Sequence, residues 1–142
     1  MGTQQILLIV LAVIVVAIAT GIGLNTFHSY AYGANRSALA ADAQLYATWV
    51  LQYYRTSKDQ GGLGESFADI DAEDINQFLG GERERFRTDN GEFSAVIPQG
   101  DSTQVLLIGI GSASRNGKSP KVETSIDLKS GMIRSRVSDI DS

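Results

Sequence analysis

The chain opens on an unbroken apolar run, ILLIVLAVIVVAIA, from Ile6 to Ala19, and Thr20, Gly21, Ile22, Gly23 and Leu24 extend it without charge. At about 1.5 Å of rise per residue, a helix of this length spans the roughly 30 Å hydrocarbon core of a bilayer. A cleaved signal peptide is disfavoured. Met1 to Gln5 holds no Lys or Arg, and the uncharged stretch runs on as NTFHSYAYGAN with no polar mature start. N-myristoylation is disfavoured too, because Ile6 stands where the motif wants Ser or Thr.

From Arg36 to Lys58 the pattern becomes helical and amphipathic. Leu39, Asp42, Tyr46, Trp49 (or Val50) and Tyr53 recur three or four apart on one stripe, with Arg36, Gln44, Gln52 and Arg55 on the wetter side. No Pro precedes Pro98. The pattern therefore predicts one helix from Thr3 to Lys58, roughly 80 Å long, ended by Gly61-Gly62 and Gly64. Gly21 and Gly23 are the place to expect a break, since each costs about 1 kcal/mol relative to Ala in a helix interior. The same small residues also suit close helix packing. Asn35-Arg36-Ser37 has the form of a glycosylation sequon.

Residues 59–142 read as a separate head. Asp71 is placed to cap a short acidic helix with Asp74 at its third position, an apolar face of Ile70, Ile75, Phe78 and Leu79, and a stop at Gly80-Gly81. A calcium loop started at Asp69 fails, because Asp74 and Gly80 stand where Gly and Glu are required. From Arg83 the period changes to two. Asn90-Gly91 is a type I′ hairpin signal, pairing Thr88 with Phe93 and Phe86 with Ala95. Phe86, Phe93, Ala95 and Ile97 then share one face, and Arg85, Arg87 and Ser94 the other. Pro98 limits that strand, and Gln99-Gly100-Asp101 turns it. Residues 104–110, QVLLIGI, are apolar on both faces, as a central strand is. After a polar loop at 112–120, a second hairpin around Ser130-Gly131 pairs Leu128 with Ile133 and Asp127 with Arg134. The fold class is α+β: a long N-terminal helix, apolar in its first half (1–24) and amphipathic in its second (25–58), packed on four or five antiparallel strands. Tyr46, Trp49, Val50 and Tyr53 are the expected helix-to-sheet contacts, covering Phe93, Val105, Leu107, Ile126 and Ile133.

Charge sharpens this division. The chain has 142 residues, 43% hydrophobic and 20% charged, with a net charge of −4, and Arg36 is its first charged side chain. Residues 59–142 carry 15 acidic and 9 basic groups. An acidic protein with a pI near 4.9 does not suit general nucleic-acid binding, so no specific nucleic acid is predicted. With no Cys and one His, thiol nucleophiles, disulfides and multi-His or Cys metal sites within one chain are excluded. Gly117-Lys118-Ser119 imitates part of a phosphate loop, but Ser112 replaces the leading Gly and Pro120 follows. His28 has no acidic neighbour close in sequence. No catalytic residue, cofactor or metal is predicted. Seven of the eleven aromatics, Phe27, Tyr30, Tyr32, Tyr46, Trp49, Tyr53 and Tyr54, lie on the long helix, where packing accounts for them better than an electron-conducting array.

An apolar N-terminal helix running into an amphipathic one and topped by an antiparallel sheet resembles the type IV pilin family. The likeness covers the whole chain in architecture and residues 1–58 in detail. It implies that a peptidase removes a short basic leader, that the new N-terminus is often methylated, and that subunits assemble into a helical filament. Met1 is then the mature first residue, or the chain is never trimmed. The family commonly carries glutamate at the fifth mature position, pairing with a neighbour's amine; here that residue is Gln5, which hydrogen-bonds but cannot neutralise an amine. The family's C-terminal disulfide is also missing. The resemblance assigns the filament core to Met1, Gln5, Ile6, Leu7, Ile9, Val10, Val13, Ile14, Val16 and Ala17, and a local loss of helicity to Gly21 and Gly23. The implied partners are many copies of the chain, inner-membrane lipid before assembly, and the pilus assembly machinery. Implied locations are the cytoplasmic membrane for the free subunit and the cell surface for the filament. A minor pseudopilin and a single-pass membrane-anchored binding domain are the alternatives; archaeal-type filament proteins are the nearest variant within the class.

Overall fold

The computed structural model describes residues 2–80 and 82–142. Met1 and Gly81, assigned above to the filament core and to a helix stop, lie outside the described residues. Helix α1 (Gly2–Arg55) is followed by a short turn of 3-10 helix at Lys58–Gln60, helix α2 (Ala72–Phe78), and strands β1 (Phe86–Arg87), β2 (Gly91–Val96), β3 (Gln104–Gly111), β4 (Lys118–Asp127) and β5 (Met132–Asp141). The strands form one antiparallel meander in the order β1-β2-β3-β4-β5. This is an α+β protein in which one helix crosses a five-stranded sheet.

Helix α1 stops three residues before the predicted Lys58. Residues 62–65 fold back over its end: the amides of Leu63, Glu65 and Gly64 donate to the carbonyls of Tyr53, Tyr54 and Thr56. These bonds satisfy acceptors that a helix terminus leaves without partners. No break occurs at Gly21 or Gly23 in the single chain, where both residues are helical. Their combined cost of about 2 kcal/mol is too small to open a hydrogen-bond ladder that continues on both sides.

The face of α1 that meets the sheet is rotated by one residue, about 100°, from the predicted stripe. Leu39, Ala43, Ala47, Val50, Leu51 and Tyr54 are its buried residues. Alanine lies at the closest approach because its small side chain lets the helix axis come down onto the sheet. The larger rings reach in from the flank. Tyr46 sets its ring edge-on to Phe86 and Phe93, at 4.9 and 5.4 Å between centroids, and Tyr53 stacks on Phe78 of α2 at 4.4 Å. Val50 is buried as expected, whereas Trp49 is not a core residue: it stays 41% exposed and touches Tyr46 edge-on. Phe78 likewise leaves the core for the surface. The rotation also turns two residues read as wet, Arg36 and Gln44, toward the head. Leu39→Ala is therefore expected to cost about 2–5 kcal/mol of stability, and Trp49→Ala in the isolated subunit less than about 1.5 kcal/mol. Denaturant unfolding of the two variants checks the order.

Both hairpins keep the predicted faces but slip by two residues. Phe86 pairs with Phe93, not Ala95, and Ile126 pairs with Ile133 while Asp127 faces Met132. An even slip preserves which side chains point inward, so Phe93, Ala95, Val105, Leu107, Val122 and Ile126 still form the core. At the first hairpin the two-residue turn is Asp89-Asn90, neither with positive φ. Gly91 serves β2 instead: a Cβ there would stand 2.1 Å from the carbonyl oxygen of Ile110 on β3. The type I′ geometry appears at Asn116-Gly117, with φ of 54° and 71°, between Arg115 and Lys118. The imitation phosphate loop thus opens strand β4, and no helix follows it. At the second hairpin the Asp127 carboxylate accepts from the amides of Lys129 and Ser130. That lengthens the loop to four residues and tucks Leu128 into the core.

Candidate assembly surface

Every residue from Gly2 to His28 is exposed. Ile6, Leu7, Ile9, Val10, Val13, Ile14 and Val16 stand open on all sides of the helix, and Gln5 and Ala17 are exposed among them. The most apolar eighteen-residue window of α1 has a mean hydropathy of 3.0, long and apolar enough to cross a membrane. The head touches none of it, so this segment's apolar surface must be met by lipid or by protein outside the chain.

The first contacts with the head come one turn later, and they are polar. Arg115 donates to the Ser29 hydroxyl at 3.0 Å. The Tyr32 hydroxyl donates to the Asp139 carboxylate at 2.6 Å, and Arg36 lies 3.9 Å from the same carboxylate. Asn35 donates to the Asn90 carbonyl at 2.8 Å and accepts from the Ala113 amide at 3.3 Å. Its amide nitrogen is thus engaged in holding the sheet, the opposite of a free sequon. Asp42 accepts from the Asn90 side chain at 2.7 Å, and Gln44 donates to Ser135. These bonds join the strand ends and loops at the top of the sheet to successive turns of α1. The head is therefore fixed in angle and rotation relative to its own apolar segment. Sequence reading missed Ser29, Tyr32, Asn35 and Asp139 in this role. Only the polarity of Asn35 and Asp42 among small and apolar neighbours marked them.

Beyond the apolar segment, charge on α1 is sparse as far as Gln52. Its charged residues before Arg55 are Arg36 and Asp42, and both are turned onto the head. Facing away from the sheet are Ala41, Leu45, Thr48, Trp49 and Gln52, all exposed. A helix face meant for water is normally laced with charge.

Four tyrosines in or beside the helix-to-head contact have their hydroxyls held above the ordinary value of 10.0. Burial is the first cause in each, reinforced by Asp139 at Tyr32, Asp42 at Tyr46, Asp74 at Tyr53 and Glu65 at Tyr54. A raised folded-state value means stability that is complete below the unfolded tyrosine range and lost as pH rises through the folded values. The head is expected to melt at falling temperature as pH climbs above about 10, with tyrosinate absorbance appearing alongside unfolding; a melting temperature flat across that window would contradict the assignment.

Among the described residues, no group of three or more His, Cys, Asp or Glu side chains is placed to hold a metal ion. A groove of about 420 Å³ lies at the top of β2 and β3, lined by Arg87, Thr88, Gly91, Glu92, Ile110, Gly111 and Ser112. His28 lies near the Phe27 ring, 6.3 Å between centroids.

The protein is thus of the α+β class, with a protruding apolar helix that runs unbroken into a helix bonded to an antiparallel head. Comparison of the chain with protein-family models, with curated proteins and with solved structures found no match in any of the three.

Proposed function

We propose that this protein is the structural subunit of a helical, pilus-like extracellular filament, assembled by packing its N-terminal helices together. The observation that carries the reading is an apolar helix, exposed all round from residue 2 to residue 28, that continues without a joint into a helix clamped to the head. A flexible linker would serve a simple anchor as well. Rigid continuation fixes every head relative to its own apolar segment, so copies packed through those segments place their heads in a repeating outer shell. The uncharged outward face of α1 from Ala41 to Gln52 extends the packing surface beyond the membrane-length segment.

In the bilayer, residues 1–24 are solvated by lipid. On extraction they are buried by other copies, and each Leu or Ile side chain buried is worth about 1.5–3 kcal/mol. Gly21 and Gly23 then admit close helix contact or a local loss of helicity in the assembled state. The subunit resides in the cytoplasmic membrane before assembly and on the cell surface afterwards, with an assembly machinery as its transient partner.

Negative-stain microscopy of sheared cell-surface material, with intact-mass measurement of the subunit, tests the proposal. Expected are thin filaments made of this chain. Finding the chain only in the membrane fraction, with no filaments, would reject it.

A further inference from the structure

We infer that, while the subunit resides in the membrane, the turn from Arg115 to Lys118 is seated in the phospholipid headgroup layer, with the Arg115 guanidinium on lipid phosphate. This rests on the membrane-resident stage of the reading above and adds to it what the head touches there.

Height along α1 carries the argument. With Ile6 to Leu24 across the hydrocarbon, Ser29 stands five residues beyond its edge, about 7–8 Å up the helix axis. The headgroup layer outside the hydrocarbon is roughly 5–8 Å deep on each side. Side chains on a helix lean toward its N-terminus, so the Ser29 hydroxyl points back into that layer. Arg115 donates to this hydroxyl at 3.0 Å, which holds one point of the head at headgroup depth.

The rest of the head stands higher. Asn35, bonded to Asn90 and Ala113, is about 9 Å further along the axis than Ser29. The Asn116-Gly117 turn therefore hangs from the sheet toward the bilayer. The opposite end of β4 is remote from it. A Cβ on Gly131 would stand 2.7 Å from the Arg55 guanidinium, so the Ser130-Gly131 hairpin lies at the far end of α1.

The turn has the chemistry that phosphate wants. Arg115 and Lys118 are exposed, and neither is in an ion pair among the described residues. Ser29 takes one N–H of the Arg115 guanidinium, and the remaining donors are matched in geometry to phosphate oxygens. Lys118 has a long apolar stem along which its ammonium can reach the same layer. Residues 112–118, SASRNGK, contain no carboxylate side chain. The acidic groups nearest this end are Asp89, Asp139 and Asp141. Asp139 is held by Tyr32 and Arg36, and Asp141 lies across the ladder from Lys118.

A second feature marks the same depth. Phe27 and Tyr30, one residue or two from Ser29, are turned away from the head and are 67% and 75% exposed. Tyrosine is favoured at the boundary between membrane and water, where its ring is in the apolar layer and its hydroxyl is hydrated.

The absence of cysteine allows single nitroxide labels at Val13→Cys, Ser114→Cys and Ser130→Cys in the full-length chain. The protein is placed in vesicles of phosphatidylcholine and phosphatidylglycerol, and depth is read from accessibility to oxygen and to an aqueous nickel complex. Label 13 should lie in the hydrocarbon, label 114 in the headgroup layer and label 130 in water. Arg115→Glu should lower the share of label 114 shielded from nickel by roughly tenfold, because a carboxylate is repelled where a basic group is attracted. Arg115→Lys should keep it shielded. Label 114 in water with label 13 in hydrocarbon, or label 114 unmoved by Arg115→Glu, overturns the headgroup contact and leaves the membrane and filament readings standing. Label 13 in water overturns the membrane-resident stage as well.

Discussion

Placing a charge at Ile9 or Val13 is expected to abolish filaments while leaving the head folded. Both side chains are more than 60% exposed in the single chain, so neither substitution disturbs any contact within it. In a packed core of helices, the same charge loses water and gains no partner, at a cost of several kcal/mol per copy. That cost recurs in every subunit of a polymer. The matching experiment removes residues 1–24. Contacts between α1 and the head begin at Ser29, so the truncated chain should be soluble, folded and monomeric, with an intact sheet by circular dichroism. Gln5→Glu is expected to assemble normally, since a neighbouring amine can pair with it. Microscopy of the three variants decides the matter: normal filaments from the truncated protein would rule out assembly through the helix.

The second large effect is expected at Asn76. Its side chain is 2% exposed and spans four backbone groups: it accepts from the Ala95 amide and donates toward the carbonyls of Arg83, Glu84 and Ala95. Asn76→Ala strands a buried donor and its acceptors together. Each unsatisfied group costs about 1–3 kcal/mol, so a loss of at least about 3 kcal/mol is expected for the set. Asn76→Asp keeps the shape and the acceptor but replaces the donor with a carboxylate facing carbonyls, and it should be as damaging above the carboxylate range. Thermal unfolding, with hydrogen exchange at the Ala95 amide, separates this from a general loosening: exchange there should accelerate before exchange in β3 or β4.

Asn76 illustrates where sequence reading stops. In AEDINQF it is one more polar residue on an acidic helix, and nothing in its neighbours announces that it completes a sheet edge 19 residues away. Asn35 and Asp139 are alike in this respect, being polar residues whose partners lie on elements distant along the chain.

The apolar run from Ile6 to Leu24 sets an exposed, membrane-length helix by itself, because composition and length need no tertiary partner. The change from period 3.6 to period 2 near Arg83 likewise separates helix from sheet, and alternation sets which strand residues face inward. Tertiary structure decided the rest. Close packing put Ala43 and Ala47, not Trp49, against the sheet, because the helix can approach only where side chains are small. Backbone fit chose Asn116-Gly117 for the type I′ turn and gave Gly91 to the β2–β3 contact, since two identical dipeptides differ only in what surrounds them. Hydrogen bonding at Asp127 moved the second hairpin by two residues. Local pattern fixes periodicity and face; rotation, register and edge capping depend on groups that meet only once the chain is folded.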